Sequence, residues 1–178
     1  MTLLSTFEQD VYDWVVNYIE VEHKFYDYKF PPCPYAKAAR LHNLLSIKAY
    51  TSGSVNSFIK DNANQLLADN THNVCIMVFP TYVKWFYHTR WLVRKLNSKL
   101  IPQDYYVQYG LAVKTESKYT GLFAGEPYFI VIINKLSDVI KGHNSLLNTD
   151  YYKSWTPSHY NDVVTRREKM YLKFRNKV

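Results

Sequence analysis

Glycine and cysteine are both scarce in this chain of 178 residues, which has five glycines and two cysteines. So few glycines argue against long flexible linkers, and neither a Gly-x-x-x-x-Gly-Lys loop nor a Gly-x-Gly-x-x-Gly fingerprint is present. Two cysteines are too few for a disulfide scaffold or a cysteine-based zinc site, and no His-Glu-x-x-His helix occurs. We therefore expect a chain that folds without disulfides and uses no metal and no cofactor.

Long hydrophobic runs are also missing. The longest, VCIMVF and YFIVII, are far shorter than the ~20 residues that span a bilayer. The first residues, MTLLSTFEQDVYDW, lack the basic region and apolar core of a signal peptide. We expect a cytoplasmic protein with reduced thiols and no membrane partner.

Hydrophobic and basic residues are plentiful. The chain is 47% hydrophobic and 21% charged, which is enough apolar material for a core in one domain over residues 1–178. The net charge of +7 favours an anionic partner, either a small anionic ligand or a nucleic acid. Tyrosine, with 17 copies, supplies most of the aromatic share.

Apolar periodicity predicts alternating helices and strands. Ser5 and Glu8 form a capping box at the start of a helix over residues 6–22. Further helices are predicted at 34–43, 54–69, 82–100, 135–142 and 158–175, and strands at 44–50, 73–79, 105–116 and 127–134. The first strand-helix-strand unit predicts a parallel pair, and the last two strands an antiparallel pair. The expected fold is α+β, with one mixed sheet of about four strands and helices packed on it.

Cys33 lies between prolines at the start of the helix-forming stretch KFPPCPYAKAARL. If Pro34 is the first helical residue, Cys33 is the N-cap and its sulfur faces unpaired backbone N–H groups. Lys37 and Arg40 would lie on the same side of that helix. This positive surrounding favours a catalytic or redox thiolate at Cys33, and equally an anion held by Lys37 and Arg40. A buried, inert cysteine in a proline corner is the alternative.

The helix at 82–100 carries a second candidate site opposite its apolar stripe. Its residues are Lys84, His88, Trp91, Arg94 and Lys95. The helix at 158–175 and the residues after it add Arg166, Arg167, Lys169, Lys173, Arg175 and Lys177. Cations interleaved with aromatic rings can contact phosphates and stack on bases, so nucleic-acid binding is predicted. A solvated helix face is the alternative.

Several stretches resemble, in their order, a bacterial family of unknown function. They are VYDWVV, CPYAKAARL, IMVFP, EPYFIVIINKLSDVI and VVTRREKMYLKF. The resemblance implies a shared fold and no particular activity, and the composition is similar to that of proteins from large tailed phages. The element CPYA is also similar to the Cys-Pro-Tyr-Cys of glutaredoxins, but Ala36 replaces the second cysteine, which excludes a dithiol cycle at this motif.

Three classes of function remain open from the sequence. The first is binding or transformation of a small anionic molecule around Cys33, and the second is nucleic-acid binding by the two basic helices. The third is a structural or interaction protein without catalysis, with a homo-oligomer formed through its tyrosine-rich surface.

Overall fold

The structure, a computed structural model, describes residues 5–69, 71–79, 86–112 and 128–175. The helices of these residues are α1 (Thr6–Trp14), α2 (Ala36–Leu41), α3 (Val55–Asp69), α4 (Phe86–Leu100), α5 (Leu136–Leu146), α6 (Pro157–Tyr160) and α7 (Arg166–Arg175). The strands are β1 (Leu45–Ala49), β2 (Val74–Phe79), β3 (Tyr105–Ala112) and β4 (Tyr128–Lys135). π-Helical turns at Val15–Ile19 and Asn161–Thr165 follow α1 and α6.

The four strands form one mixed sheet in the order β1-β2-β4-β3. β1 and β2 are parallel, whereas β4 is antiparallel to both β2 and β3. Ile76 of β2 lies between Ile47 of β1 and Ile132 of β4, which gives the register. The predicted α+β class and the four-stranded mixed sheet are confirmed.

Helices cover both faces of the sheet because its two central strands are apolar on both sides. On one face, Met77 and Val131 pack with α3 and α4. On the other face, Ile76 and Val78 pack against Val11 of α1. The continuous apolar runs that predicted buried strands thus have a partner on each side.

Glu8 joins the start of α1 to the outer edge of the sheet. Its carboxylate accepts hydrogen bonds from the backbone N–H of Ser5 (2.8 Å) and from that of Ala49 at the end of β1 (3.0 Å). Burial raises the pKa of Glu8, but these bonds and the charge of Lys48 outweigh it, so the pKa lies below its usual value. The predicted capping box is confirmed, and it also covers part of the free edge of β1.

Asn97 of α4 covers part of the free edge of β3, on the opposite side of the sheet. It is 1% exposed, and its amide accepts a bond from the N–H of Val107 and donates one to the C=O of Val107, both 2.8 Å. The side-chain amide therefore forms the pair of hydrogen bonds that a neighbouring strand would form with Val107. It also holds α4 in a fixed rotation on the sheet.

The helices predicted at 6–22 and 158–175 each contain a π turn, and the helix predicted at 135–142 extends to Leu146. The helix expected at 6–22 is α-helical to Trp14 and continues as a π turn to Ile19. The helix expected at 158–175 is divided by its own π turn, and residues 82–85 of the helix expected at 82–100 lie outside the described residues. The helix expected at 34–43 is treated with the site below. Within the described ranges, no helix is long and apolar enough to cross a membrane.

Candidate functional site

The Cys33 element begins its helix later than predicted. α2 starts at Ala36 with Tyr35 as its N-cap, so the expectation that Cys33 is the N-cap and Pro34 the first helical residue is wrong. The reason is local, since the C=O of Cys33 accepts from the N–H of Ala36 in a tight turn that precedes the helix. α2 is only six residues long, so it has little macrodipole.

The Cys33 thiol is held in its neutral form. Burial raises its pKa, and the N–H groups of Tyr35 and Ala36 that point at the sulfur lower it only in part. The charge of Glu20 raises the pKa further. The surroundings of Cys33 therefore oppose the thiolate that the sequence pattern favoured.

The guanidinium of Arg40 is already paired with a carboxylate of the protein, that of Glu20. The Nε of Arg40 lies 2.9 and 3.1 Å from the two carboxylate oxygens of Glu20, and one terminal nitrogen lies 2.8 Å from the second oxygen. The Glu20 side chain is 3% exposed and that of Arg40 is 22% exposed. Lys37 is exposed on α2 and has no described contact with this pair. The predicted anion site of Lys37 and Arg40 stays a prediction, but half of it is occupied by Glu20.

The outer face of α4 presents an exposed tryptophan among cations. Trp91 is 62% exposed, and the Nζ of Lys95 lies 5.0 Å from the centroid of the Trp91 ring. Arg94 and Lys99 are exposed on the same stripe, because residues three and four apart share a helix face. The sequence from residue 86 to residue 103 contains no aspartate or glutamate. This face is therefore purely cationic and carries one large open aromatic surface.

Two of the residues predicted for this face are not described. Lys84 lies outside the described residues, and for His88 the structure describes the backbone but not the side chain. The predicted Trp91, Arg94 and Lys95 lie together as the helical spacing required.

A surface groove lies next to the C-terminal end of the α4 face. Its volume is about 580 Å³, and its walls come from the turn after α4, from α5 and from α7. Pro102, Lys141, Asn144 and Tyr171 are among the residues that line it. The groove depends on how three separate segments pack, so the sequence pattern alone does not predict it.

Arg167 departs from the basic surface predicted for the last helix. Arg166, Lys169 and Lys173 are exposed on α7, whereas Arg167 is only 8% exposed. Its inclusion among the surface cations is therefore wrong. The sequence held a signal, because Arg167 follows the buried Val164 by three residues and so continues the apolar stripe of this helix.

The described residues contain no group of histidine, cysteine or carboxylate side chains that could hold a metal ion. Comparison of the chain with protein-family models, with curated proteins and with solved structures gives no match. The resemblance to a bacterial family thus stays a prediction, and any functional argument must come from the geometry of this chain.

Proposed function

We propose that this protein binds single-stranded nucleic acid along the outer face of α4. One observation carries the proposal: the 62% exposure of Trp91, with the Nζ of Lys95 5.0 Å from its ring. An indole this exposed on the outer face of a helix offers a flat surface on which any of the bases can stack.

The cations beside Trp91 supply the second part of the interaction. Arg94, Lys95 and Lys99 extend from Trp91 toward the C-terminal end of α4, over a distance of about 12 Å at 1.5 Å per residue. That length is several times the axial rise per nucleotide of one strand, ~3.4 Å in duplex geometry, so more than one phosphate can be contacted. Buried Asn97 on the opposite side of α4 stabilises the rotation that keeps these side chains outward.

The groove beyond Pro102 offers a path for the rest of a strand. Lys141 and Asn144 line it, and a cation and an amide are suitable partners for phosphates and base edges. Asp104 also lines the groove, with its carboxylate oxygens held by the N–H and hydroxyl of Ser137. A strand stacked on Trp91 would therefore leave α4 toward a surface that is also able to bind it.

The first experiment measures the affinity of a fluorescently labelled single strand by anisotropy at low salt. Stacking contributes ~1–3 kcal/mol per base, so Trp91→Ala is expected to weaken binding roughly 5- to 150-fold. Trp91→Phe should retain part of the affinity. Tyr28→Ala is the matched control, since Tyr28 is 66% exposed but lies on the loop before Cys33.

The second experiment measures the dependence of affinity on salt. For a single strand, each phosphate contact contributes about −0.7 to the slope of log K against log salt. Lys95→Gln should reduce the slope by about that amount, whereas Lys60→Gln, on the exposed face of α3, should not change it. Absence of binding at low salt, or equal losses for Trp91→Ala and Tyr28→Ala, would refute the proposal. Equal affinity for duplex and single strand would refute the stacking mode.

A further inference from the structure

The guanidinium of Arg167 is nearly buried without a counter-charge. Arg167 is 8% exposed, and its Nε is fully buried with no hydrogen-bond partner. Within the described ranges, Arg167 forms no salt bridge and no hydrogen bond. Arg40, in contrast, is less buried, and its Nε and one terminal nitrogen both donate to the carboxylate of Glu20. A buried cation that lacks a partner is costly, so this arrangement calls for an anion from outside the chain.

Three tyrosine hydroxyls and one imidazole lie within electrostatic range of this cation. The charge of Arg167 acts on Tyr35, Tyr106, Tyr152 and His143. Burial raises the pKa of each of the three tyrosines, and Arg167 offsets that rise only in part. Their hydroxyls thus stay protonated at neutral pH. Those of Tyr35 and Tyr106 can donate hydrogen bonds to an anion, whereas the proton of Tyr152 is directed to His143.

His143 brings no competing charge to this cluster. Burial and the charge of Arg167 lower its pKa, against the opposing effect of Glu168, so the imidazole is neutral at pH 7. Its Nδ1 lies 2.8 Å from the hydroxyl of Tyr152, and its Nε2 lies 3.5 Å from a carboxylate oxygen of Glu168. With the proton on Nε2 toward Glu168, Nδ1 accepts from Tyr152 and orients its phenol ring. Glu168 itself is 49% exposed and lies on the solvent side of His143.

Tyr35 comes from the same Cys-Pro-Tyr-Ala element that contains Cys33. Its ring covers Gly142 of α5 so closely that a Cβ at Gly142 would overlap it. Its hydroxyl lies 3.5 Å from the Oγ of Ser145, a long contact that an incoming acceptor can replace. The element thus contributes a hydroxyl to the Arg167 cluster, whereas its thiol is held neutral.

We infer that Arg167, with the hydroxyls of Tyr35 and Tyr106, forms a binding site for a phosphate group. A guanidinium presents two parallel N–H groups to two oxygens of one anion. Two further hydroxyl donors exceed what the two oxygens of a carboxylate need once the guanidinium holds both, and they match the additional oxygens of a phosphate. The phosphate group belongs either to inorganic phosphate or to a phosphate monoester such as a nucleotide.

The test is thermal unfolding of the full chain with phosphate, and with sodium chloride at equal ionic strength. A ligand that binds only the folded state raises Tm, and phosphate at about twenty times its Kd should raise it by roughly 4–7 °C for a domain of this size. Arg167→Met should abolish the shift. Arg166→Met is the matched control, since it removes an exposed charge one residue earlier, and it should retain the shift.

A second expectation separates a binding site from a structural arginine. Because Arg167 has no described partner, Arg167→Met should leave Tm in phosphate-free buffer unchanged or higher. Arg167→Lys keeps the charge without the planar fork, and phosphate should bind it at least about tenfold more weakly, as measured by ³¹P line broadening. If Arg167→Met does not fold, the Arg167→Lys titration decides the question.

Three results would overturn the inference. They are no phosphate-dependent shift in the wild type, an equal shift in Arg167→Met, or a shift with acetate as large as with phosphate. A nucleoside monophosphate that binds more tightly than inorganic phosphate would identify the ester as the ligand, and the reverse order would identify the free ion.

Tyr106 faces α5 and α7, whereas α4 packs on the other face of the sheet. Trp91→Ala should therefore leave the phosphate shift intact, and Arg167→Met should leave oligonucleotide affinity intact.

Discussion

Replacing Asn97 by alanine tests how the edge of the sheet and the α4 face are held together. The change removes two hydrogen bonds of 2.8 Å to the N–H and C=O of Val107, a residue that is 0% exposed. Each buried backbone group left without a partner costs about 1–3 kcal/mol. Alanine recovers about 0.5 kcal/mol of helix propensity. The expected net loss is about 2–5 kcal/mol, a large part of the stability of a typical domain.

The loss is measured by urea unfolding, as a lower midpoint at an unchanged m value. Asn62→Ala is the control, because Asn62 on α3 is half-buried and its amide donates only to the C=O of Phe58 within the same helix. It carries the same propensity gain, so we expect a change within about 1 kcal/mol. Asn97→Asp keeps the acceptor but buries a charge, and it should regain stability as the pH falls and the carboxyl becomes a donor. A loss for Asn97→Ala no larger than that for Asn62→Ala would refute the reasoning.

Three further outcomes follow from the described contacts. Arg40→Met leaves the carboxylate of Glu20 buried without a partner and should cost about 3 kcal/mol of unfolding free energy, measured with urea. Glu20→Gln should cost less, because the Arg40 side chain is 22% exposed and keeps some hydration. Equal losses for the two variants would contradict this difference. Glu8 has a folded-state pKa below the usual 4.5, so it adds stability that is fully present above about pH 4.5 and is lost as the pH falls further. Stability measured from pH 7 to pH 3 should therefore fall less steeply for Glu8→Gln than for the wild type, and parallel curves would exclude this role. Burial raises the pKa of Cys33, so its alkylation in the folded protein should be slower at pH 8 than that of a free thiol and should accelerate in denaturant. Rapid labelling of the folded protein below pH 8 would contradict this.

The strands and the first helix were predictable because their signals are local. The apolar run at 74–79 needs cover on both faces whatever its neighbours are, and Ser5 and Glu8 mark a helix start through bonds within one turn. The order of the strands was not predictable in the same way. The placement of β4 between β2 and β3 depends on pairing between residues far apart in the chain.

The candidate sites also differ in whether local sequence signals or long-range packing determine them. Trp91, Arg94 and Lys95 were found because helical spacing alone places them on one face. The environment of Cys33 was not, since its burial and the charge of Glu20 both depend on how separate segments pack. Arg167 was predicted to lie on the surface because of its charge, although its spacing from Val164 indicated the buried side.

The pairing of β2 with β4 also has a consequence for how the chain folds. Partners across this pair, such as Phe79 with Phe129 and Val74 with Asn134, are about 50 to 60 residues apart. Partners within β1–β2 and within β3–β4 are about 16 to 30 residues apart. Closing the longer loop loses more chain entropy, so we expect the joining of these two locally paired halves to be the slow step of folding. Substitutions at Val78 or Ile130 in this central pair should therefore slow folding, whereas changes at the outer edge strands should mainly speed unfolding.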